Sequence, residues 1–533
     1  MRPADAVRRA RAAATAAAVG ALAVALAGCG ADADSAPGTP SPGAPVSTGA
    51  ATTAGSGGGG GAPAYGAGKP AKVCGSALTR GPATAPAGAV VVGTGQRLDE
   101  VVDAHPAGTT YYLTGGRHTL AAGAYRQVQP KDGDVFVGAP GAVLDGRQDN
   151  LYAFGGQASG VTIRTLTVQG FGGKLDNRDE GVVNHDTAPG WRLEGVTLRR
   201  NGGAGVMLGS HSVVRDSCLV RNGQYGFSAY APGGVRDVTL VHNEIAFNDT
   251  ADWERRIEGC GCTGGGKFWA TAGAVVRDNY VHDNRGAGLW ADTNDTGFLV
   301  TGNTITDNAG SGMMYETSYN ARITRNTFAR NALVAGPGAS FPQPALYLSE
   351  SGADPRAGRR FGSELLVSGN LFEDNWSGVI LWENADRFAG SPANTSSGAT
   401  TLVNPKVATE AACSTPATVK TKPYVDDCRW KTQHVRVTGN RFVLHRAKIE
   451  GCTTRSLCGI NGVFSQWGTY PAWSPFKGDI VEDAITFKQG NRFTRNAYVG
   501  PWRFMAHELG QQVSWAQWRA APYGQDSGSS LKR

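Results

Sequence analysis

The sequence predicts an all-β solenoid, in which short strands repeat at a fixed interval and stack as coils. Three observations favour this fold class: a recurring asparagine motif, short segments that alternate apolar and polar residues around it, and abundant glycine, 76 of 533 residues. Helical spacing of apolar residues is nearly absent from the repeating part. Short strands with turn residues at a constant period are typical of repeat architectures.

The chain begins with features of an export signal. Arginines at positions 2, 8, 9 and 11 precede an Ala/Val/Leu run that ends in Leu26-Ala27-Gly28-Cys29, and this run is short for a membrane span. The ending resembles the lipobox of bacterial lipoproteins, which implies cleavage before Cys29 and attachment of lipid to its thiol. An ordinary secretory signal is the alternative. Both interpretations make residues 1–28 a signal peptide and predict export, either to the outer face of the cytoplasmic membrane or into the medium.

Residues 29–72 predict a disordered tether. They are dominated by Ala, Gly, Ser, Thr and Pro and include Gly57 to Gly61, a composition that cannot bury a core. We therefore expect one folded domain over residues 73–533, beginning near Val73. Residues 1–28 contain four arginines and one aspartate, so the formal charge of +7 falls to +4 without them. No basic block remains, and we expect a monomer without a nucleic-acid partner, in contact with the membrane through a lipid anchor alone.

The cysteines predict disulfides. Beyond Cys29 there are eight, at positions 74, 218, 260, 262, 413, 428, 452 and 458, and an even number in an exported protein fits disulfide pairing. Cys413 with Cys428 and Cys452 with Cys458 are the expected local pairs. For Cys260 and Cys262 we expect distant partners such as Cys218 or Cys74. A zinc site is disfavoured, because no C-x₂-C pair stands near a histidine doublet.

The repeat itself is an Asn-x₄-Asn motif. It occurs at Asn243/Asn248, Asn279/Asn284, Asn303/Asn308, Asn326/Asn331, Asn370/Asn375 and Asn491/Asn496, with degenerate copies that end at Asn201 and Asn222. Steps along it measure 24 and 23 residues, and a short strand such as GLWAD or GMMYE follows the second asparagine. Asparagines at one turn position can hydrogen-bond from coil to coil and tolerate left-handed backbone.

This pattern resembles the right-handed parallel β-helix of the pectate-lyase-like superfamily over roughly residues 90–510. The resemblance extends to both ends. It implies an amphipathic cap helix within Gly95 to His105 and a closing segment within Ser514 to Ser529. A β-sandwich is the alternative fold, but its strands would not keep a period near 23 residues.

Two carboxylates recur at one position of this repeat. Asp292 in GLWADTN and Glu316 in GMMYETS follow a glycine by the same number of residues. In a β-helix, equivalent residues of adjacent coils lie about 4.8 Å apart and side chains alternate in and out. If Leu289 points inward, Trp290 and Asp292 point outward, and Asp292 stacks on Glu316. Stacked like charges predict a raised pKa for one of the two.

The same outward register offers further site candidates. Lys267 and Trp269 lie one coil earlier, Tyr230 lies two coils earlier, and Tyr347, Glu350, Trp382 and Glu383 lie on later coils. Four insertions flank these strands, Ala251 to Gly265, Ala332 to Pro344, Ser351 to Glu364 and Asn384 to Lys431, and we expect them to wall a groove. Aromatic faces stack on sugar rings and carboxylates hold hydroxyls. The predicted ligand is therefore a polysaccharide, bound by Trp290, Trp269, Tyr230, Glu350, Trp382 and Glu383.

Of the chemistries that fit, glycoside hydrolysis is favoured, with Asp292 and Glu316 as the catalytic pair. Carboxyl groups about 5 Å apart suit retention of anomeric configuration, and about 6.5–9.5 Å suits inversion. The sequence leaves this open, and no cofactor is needed.

A polysaccharide lyase or uronate epimerase is the second hypothesis. Lys267 would be its base, and Asp292, Asp295 and Glu316 would bind Ca²⁺. No cluster of outward arginines near Asp292 is evident to bind an acidic polymer, although Arg255, Arg256, Arg359 and Arg360 lie in insertions that could supply them. The third hypothesis is a cell-surface protein that binds or spaces without catalysis.

Overall fold

The strands wind into three sheets that run side by side along the molecule. The computed structural model describes residues 65–172, 181–256, 263–358, 360–388, 391, 407–466 and 471–533. Within each sheet the strand order follows the chain, and neighbours are parallel strands from successive coils, apart from one antiparallel pair at the end of sheet 2. The predicted all-β fold is confirmed as a right-handed parallel β-helix.

Sheet 1 has fifteen strands. They are Val90–Val92, Thr110–Leu113, Val135–Gly138, Thr162–Arg164, Arg192–Glu194, Val213–Arg215, Val235–Arg236, Thr239–Val241, Thr271–Ala272, Val275–Arg277, Thr296–Thr301, Tyr319–Thr324, Leu365–Ser368, Val435–Thr438 and Arg492–Thr494.

Sheet 2 has ten strands and carries the candidate site. They are Val206–Met207, Tyr225–Ala229, Gly264–Trp269, Ala287–Asp292, Met313–Glu316, Pro344–Ser349, Ser377–Asn384, Ile460–Gln466, Arg503–Glu508 and the antiparallel Gln512–Val513.

Sheet 3 has thirteen strands. They are Gly116–His118, Ala142–Asp145, Thr167–Gln169, Thr197–Arg199, Cys218–Val220, Glu244–Ala246, Tyr280–His282, Thr304–Thr306, Thr327–Ala329, Leu371–Glu373, Arg441–Val443, Ala497–Val499 and Ser530–Lys532.

Helices are short and lie in the connections. The α-helices are Leu98–Asp103, Trp253–Arg256, Glu410–Cys413, Tyr424–Asp427, Ile480–Asp483 and Trp515–Arg519, the 3₁₀ turns are Ala77–Thr79, Gly336–Gly338, Pro355–Ala357 and Arg446–Lys448, and Ala484–Lys488 is a π-helical turn. None of those in the described ranges is long and apolar enough to cross a membrane.

The interior of the coils is filled by stacked apolar side chains. Phe328, Phe372, Phe442 and Tyr498 form a continuous stack with ring centroids 5.0, 4.7 and 4.8 Å apart. This spacing equals the distance between neighbouring strands, so each coil places one ring directly on the ring of the coil before. Equivalent positions along the repeat therefore share one environment.

Two asparagine ladders run through the turns on either side of sheet 3. One joins Asn243, Asn279, Asn303, Asn326, Asn370, Asn440 and Asn496. The other joins Asn201, Asn222, Asn248, Asn284, Asn308, Asn331 and Asn375. Except in the last asparagine of each ladder, the Nδ2 group donates to the Oδ1 atom of the next asparagine, which confirms the predicted ladder.

The expected left-handed backbone belongs to a different residue. Positive φ falls on the position before the ladder asparagine, 55° at His242, 57° at Asp278 and 58° at Asp307. The asparagine oxygen accepts from the backbone N–H of the equivalent asparagine one coil earlier, as in Asn279 N to Asn303 Oδ1 at 3.0 Å. The preceding residue makes the sharp turn that holds this oxygen in place.

Two short helices pack on the apolar interior of the coils. The helix Leu98–Asp103 lies where a cap helix was expected, and its Leu98 and Val102 are fully buried in the core. Near the C-terminus, Trp518 of the helix Trp515–Arg519 packs on Phe504 and donates from Nε1 to Asp526 Oδ2 at 2.7 Å.

The segment before the first coil runs along sheet 3. Gly66 donates its backbone N–H to Gly369 O, and Ala67 donates to Thr327 Oγ1, so packed chain begins ahead of the Val73 boundary expected from composition. A Cys74–Cys218 disulfide then fastens the segment. Because these two cysteines bond each other, the expectation that they pair with Cys260 or Cys262 is wrong; the latter two lie outside the described residues, as does Cys29.

The other two disulfides among the described residues confirm the predicted local pairs, Cys413–Cys428 and Cys452–Cys458. The first lies in a small lobe formed by the described residues of 384–388, 407–431 and 471–483, which we call the insertion lobe. Its apolar cluster, built around Phe388, Cys413, Val419 and Phe476, is separate from the coil interior. Disulfides of this number are typical of exported proteins.

Candidate functional site

The strand register of sheet 2 brings the two candidate carboxylates together. Asp292 pairs with Glu316, and Leu289 pairs with Met313. Leu289 and Met313 belong to the coil interior, whereas Trp290 belongs to a separate apolar cluster on the outer face. The predicted alternation and the predicted stacking are therefore both present.

The outer face of this part of sheet 2 is covered, which corrects the expectation of an open groove. Asp292 is 2% exposed, Glu316 1%, Trp290 3% and Lys267 6%. Arg387, in the insertion after Glu383, contacts Glu316 and Glu350. Buried charges are costly unless paired, so their partners decide what these groups can do.

Lys267 supplies the partner of Asp292. It lies one coil earlier, level with Trp290, and its Nζ atom is 3.1 Å from Asp292 Oδ2. The same ammonium lies 4.3 Å from the centroid of the Trp290 ring, a cation–π contact. Lysine, aromatic ring and carboxylate thus form one contiguous cluster, as the register predicted.

Glu316 has two donors of different kinds. Arg387 Nη1 donates to Glu316 Oε1 at 2.6 Å, and Trp290 Nε1 donates to Oε2 at 3.3 Å. Burial raises the pKa of Glu316 to about 7; Arg387 lowers the pKa, whereas Asp292 and Glu350 raise it further. The predicted raised pKa in the pair thus falls on Glu316, which exchanges its proton near neutral pH.

Arg387 is the residue that sequence reasoning missed. It bridges Glu316 and Glu350, at 3.1 Å from Glu350 Oε2, and is 4% exposed. Arg387 lies four residues after Glu383, at the start of the longest insertion, and this position is the only feature of the sequence that could have indicated its role. Of the arginines considered instead, Arg360 contacts Asp237 on the sheet 1 side and Arg256 is exposed. The side chain of Arg255 and the whole of Arg359 are not among the parts of the chain that the structure describes.

Glu350 and Glu383 lie one position beyond the Asp292–Glu316 column. Glu350 accepts from Ser349 Oγ at 2.6 Å and from the backbone N–H of Asn384. Glu383 contacts Arg429 and accepts from Gln489 Nε2 at 2.8 Å. Both carboxylates are fully buried and hold the insertion lobe against sheet 2, so neither faces a groove as predicted.

The predicted aromatic contacts divide into two groups. Trp269 pairs with Asp292 and is half-buried, and Tyr230, half-buried too, directly follows the strand Tyr225–Ala229. Trp382 is buried, with its ring centroid 6.0 Å from that of Tyr347 and 5.4 Å from that of Phe341. Tyr347 and Phe341, which Trp382 contacts, line a cavity.

This cavity has a volume of about 420 Å³ and lies between sheet 2 and the insertion Ala332 to Pro344. We call it the Trp290 cavity. Its apolar lining includes Trp290, Met314, Val334, Phe341, Pro344 and Tyr347. A volume of this size is typical of small-molecule sites. Trp290 connects the cavity with the carboxylates, because its ring lines the cavity and its indole N–H donates to Glu316.

The insertion Ser351 to Glu364 does not reach this cavity. It packs on sheet 1, where Asn320 Nδ2 donates to Asp354 O.

The residues expected to bind Ca²⁺ do not fit a calcium site. Asp292 is paired with Lys267 and Glu316 with Arg387, whereas Asp295 Oδ1 accepts from Thr271 N at 2.7 Å. Burial holds the pKa of Asp295 well above its usual range. Within the described ranges, no group of three or more His, Cys, Asp or Glu side chains is arranged to hold a metal ion.

Comparison with known proteins identifies the fold of this chain. A family model for the right handed beta helix region matches residues 180–391. Over that region the chain is a right-handed β-helix. No curated protein matches the sequence.

Solved structures with a similar fold include the A-module of mannuronan C-5 epimerase AlgE6 of Azotobacter vinelandii, 16% identical, covering 56% of this chain and 81% of that chain at a TM-score of 0.37. They also include the catalytic domain of a GH87 alpha-1,3-glucanase in complex with nigerose, 10% identical, covering 85% of this chain and 69% of that chain at a TM-score of 0.45.

Proposed function

We propose that the protein is an exported glycoside hydrolase that acts on a polysaccharide. One observation carries this proposal: Glu316, a buried carboxyl with a pKa raised to about 7, lies on the strand next to Asp292, whose charge is balanced by Lys267. Neighbouring carboxyl groups with different partners divide the roles of acid and base.

In this mechanism Glu316 donates its proton to the glycosidic oxygen as the bond to the anomeric carbon breaks. The Asp292 carboxylate acts on the anomeric carbon, by direct attack or through a water from which it takes the proton. Water supplies the hydroxyl of the new reducing end, and a proton returns to Glu316. Lys267 holds Asp292 in place, and Trp290 orients Glu316 through its indole N–H.

In this proposal the substrate approaches from the Trp290 cavity, because Trp290 lines that cavity and bonds Glu316, whereas Arg387 of the insertion lobe contacts Glu316 from another segment. The aromatic wall of the cavity offers Trp290 and Tyr347 to the faces of sugar rings. The half-buried Trp269 and Tyr230 provide further stacking surfaces along the same face. We also propose that lipid on Cys29 holds the mature chain at the outer face of the membrane.

The test incubates the full chain with neutral and uronate polysaccharides and follows new reducing ends together with the ultraviolet absorbance of unsaturated products. Reducing ends without absorbance support hydrolysis, and the anomer released, read by NMR, reports retention or inversion. Glu316→Gln should lower the rate at least about 100-fold. Glu373→Gln on sheet 3 is the control for a carboxylate remote from the site. Equal rates for Glu316→Gln and the native chain would refute the assignment.

A second function, lyase or epimerase chemistry on a uronate, is supported by Arg387. The sequence showed no cluster of outward arginines near Asp292 to bind a uronate carboxylate, and Arg387 lies beside Glu316. Lys267 would then abstract the proton next to that carboxylate. Absorbance that rises with reducing ends and is lost in Lys267→Met would select the lyase, and C5 inversion without cleavage would select the epimerase.

A further inference from the structure

The two sheet 2 strands that carry the candidate carboxylates are each followed by a threonine. Thr293 follows Asp292 and Thr317 follows Glu316, and the strand register stacks the two threonines on successive coils. Both threonines are fully buried. Thr293 also donates its backbone N–H to Glu316 O at 3.1 Å, so the turns are bonded to each other like the strands. The repeat therefore places a second pair of equivalent residues directly beside the carboxylates.

Both threonines have a left-handed backbone. Their φ angles are 45° and 43°, in a region where a β-branched residue is an outlier. Ala270 and Glu350 occupy the equivalent turn of the neighbouring coils with φ angles of 45° and 44°, so the turn itself does not require a β-branched side chain. Backbone strain of this kind persists where the surroundings fix it, and it concentrates at functional sites. A threonine at this turn therefore indicates a role for its side chain.

The threonine hydroxyl groups form a chain that ends on Asp292. Thr317 Oγ1 donates to Thr293 Oγ1 at 3.0 Å, and Thr293 Oγ1 donates to Asp292 Oδ1 at 2.9 Å. The direction of the chain is fixed at the Asp292 end, because an ionised carboxylate only accepts hydrogen bonds. A bond to a charged acceptor is stronger than a bond to a neutral one, and hydrogen bonds in a chain strengthen each other.

The hydroxyl chain and Lys267 contact different oxygens of the same carboxylate. Lys267 Nζ lies 3.1 Å from Asp292 Oδ2, whereas the bond from Thr293 ends on Oδ1. Two partners on two oxygens restrict rotation about the Cβ–Cγ bond of Asp292 as well as the position of its carboxylate. Such placement matters for catalysis, because an error of about 1 Å can cost roughly 100-fold in rate.

We propose that Thr293 and Thr317 are positioning residues: Thr317 orients the Thr293 hydroxyl, and Thr293 holds the Asp292 carboxylate in the orientation that acts on the anomeric carbon. The inference rests on the proposed function, because it takes Asp292 as the group that reacts. Neither threonine contacts the substrate in this scheme, and both act through Asp292.

The first experiment measures kcat and KM of the full chain on the polysaccharide that the native chain cleaves. Thr293→Val removes the hydroxyl but keeps the shape and the β-branching of the side chain, so the backbone strain is retained. We expect kcat to fall at least about tenfold with KM within about twofold of the native value, because the hydroxyl does not bind substrate. Thr293→Ser restores a hydroxyl and should recover most of this loss. Thr317→Val, one bond further from Asp292, should lower kcat by about threefold.

Thr165→Val is the matched control. Thr165 also has a left-handed backbone, with a φ angle of 51°, and its hydroxyl donates to Gly138 O at 2.9 Å in an early coil. Removing this hydroxyl breaks a bond of the same length at the same kind of turn, but leaves Asp292 untouched. We therefore expect kcat within about twofold of the native value.

Unfolding in urea tests the bond between Thr293 and Asp292 without any substrate. In a chain that carries Lys267→Met and Asp292→Leu, apolar side chains of similar size replace the ion pair, an exchange that proteins often tolerate. Thr293→Val should lower the urea midpoint of the native chain. In the apolar background this shift should shrink to less than about half, because the hydroxyl has lost its acceptor.

A Thr293→Val chain as active as the native chain overturns the proposal. A Thr293→Ser chain as slow as Thr293→Val does so too, because packing would then explain the loss. A native chain that cleaves no polysaccharide refutes the proposed chemistry instead, and the urea comparison then decides the inference. Equal midpoint shifts in the two backgrounds overturn it, and a smaller shift in the apolar background supports the orientation of Asp292 by the threonines.

Discussion

Two stacks of polar side chains run along this solenoid, and they are stabilised differently. In the asparagine ladders, Asn303 accepts two bonds from Asn279 and donates to Asn326 Oδ1 and Val276 O. On the outer face of sheet 2, Asp292 and Glu316 also stack, but they bond to other side chains and not to each other, and their cationic partners are Lys267 and Arg387.

The difference lies in the chemistry of the two groups. An amide is donor and acceptor at once, so identical asparagines satisfy each other and the ladder extends with every coil. An ionised carboxylate only accepts, and two of them repel. The ladder therefore needs nothing beyond the repeat, whereas the carboxylate stack exists only because other segments supply cations.

Removing the arginine should have the largest effect on stability. Arg387→Met leaves Glu316 and Glu350 buried without their cation, and we expect the free energy of unfolding in urea to fall by about 3–5 kcal/mol. Adding Glu316→Gln to this variant should recover part of the loss. No recovery would show that Arg387 acts by packing and not by charge.

A ladder asparagine should come next. Asn308 accepts from Asn284 and donates to Asn331 Oδ1 and Val281 O, at 2.9 and 3.2 Å for the last two. Asn308→Ala should cost about 3 kcal/mol. The isosteric Asn308→Asp should cost at least as much, because a carboxylate cannot donate to Asn331. If Asn308→Asp were tolerated, the donor role given to the amide would be wrong.

The pH dependence of stability should separate the two stacks, since asparagine does not titrate. Burial raises the pKa of Glu316 from 4.5 to about 7, so between these values the folded state holds a proton that the unfolded state has lost. The contribution is complete at lower pH and is lost as pH rises through this window, by at most about 3 kcal/mol.

Glu316→Gln should remove the contribution of Glu316 to this slope in chemical denaturation curves recorded between about pH 4 and pH 8. Glu482 lies in the insertion lobe, and burial raises its pKa to about 7 as well. Glu482→Gln should therefore flatten the same window independently. A slope unchanged in both variants would contradict the burial of these carboxyl groups.

A surface ion pair should have the smallest effect. Arg330 donates from Nη2 to Asp307 Oδ2 at 2.6 Å, but its side chain is 50% exposed. Arg330→Met should cost less than about 1 kcal/mol, because water and salt screen exposed pairs. Arg330→Met and Arg387→Met both remove an arginine from an ion pair, but one arginine is exposed and the other is buried. An equal loss of unfolding free energy in the two variants would show that burial does not set the strength of these pairs.

Much of the site could be predicted from the sequence, because the repeat determines which residues of neighbouring strands pair. The stacking of Asp292 on Glu316, the level of Lys267 with Trp290 and the pairing of Trp269 with Asp292 all come from counting residues between equivalent turns. What counting could not give is burial. The sequence of any single strand suggests that its outer face is exposed to solvent, and the insertions that cover this face do not follow the repeat.

The sequence by itself determined the coils, their spacing, the ladders and the local disulfides Cys413–Cys428 and Cys452–Cys458, because each depends on contacts at short or constant separation. Only the tertiary structure decided that Arg387 meets Glu316, that Cys74 meets Cys218, and that the insertion Ala332 to Pro344 closes a cavity on Trp290. These contacts join a repeat to a segment outside it, so their partners are chosen by the path of the chain in space and not by any interval along it.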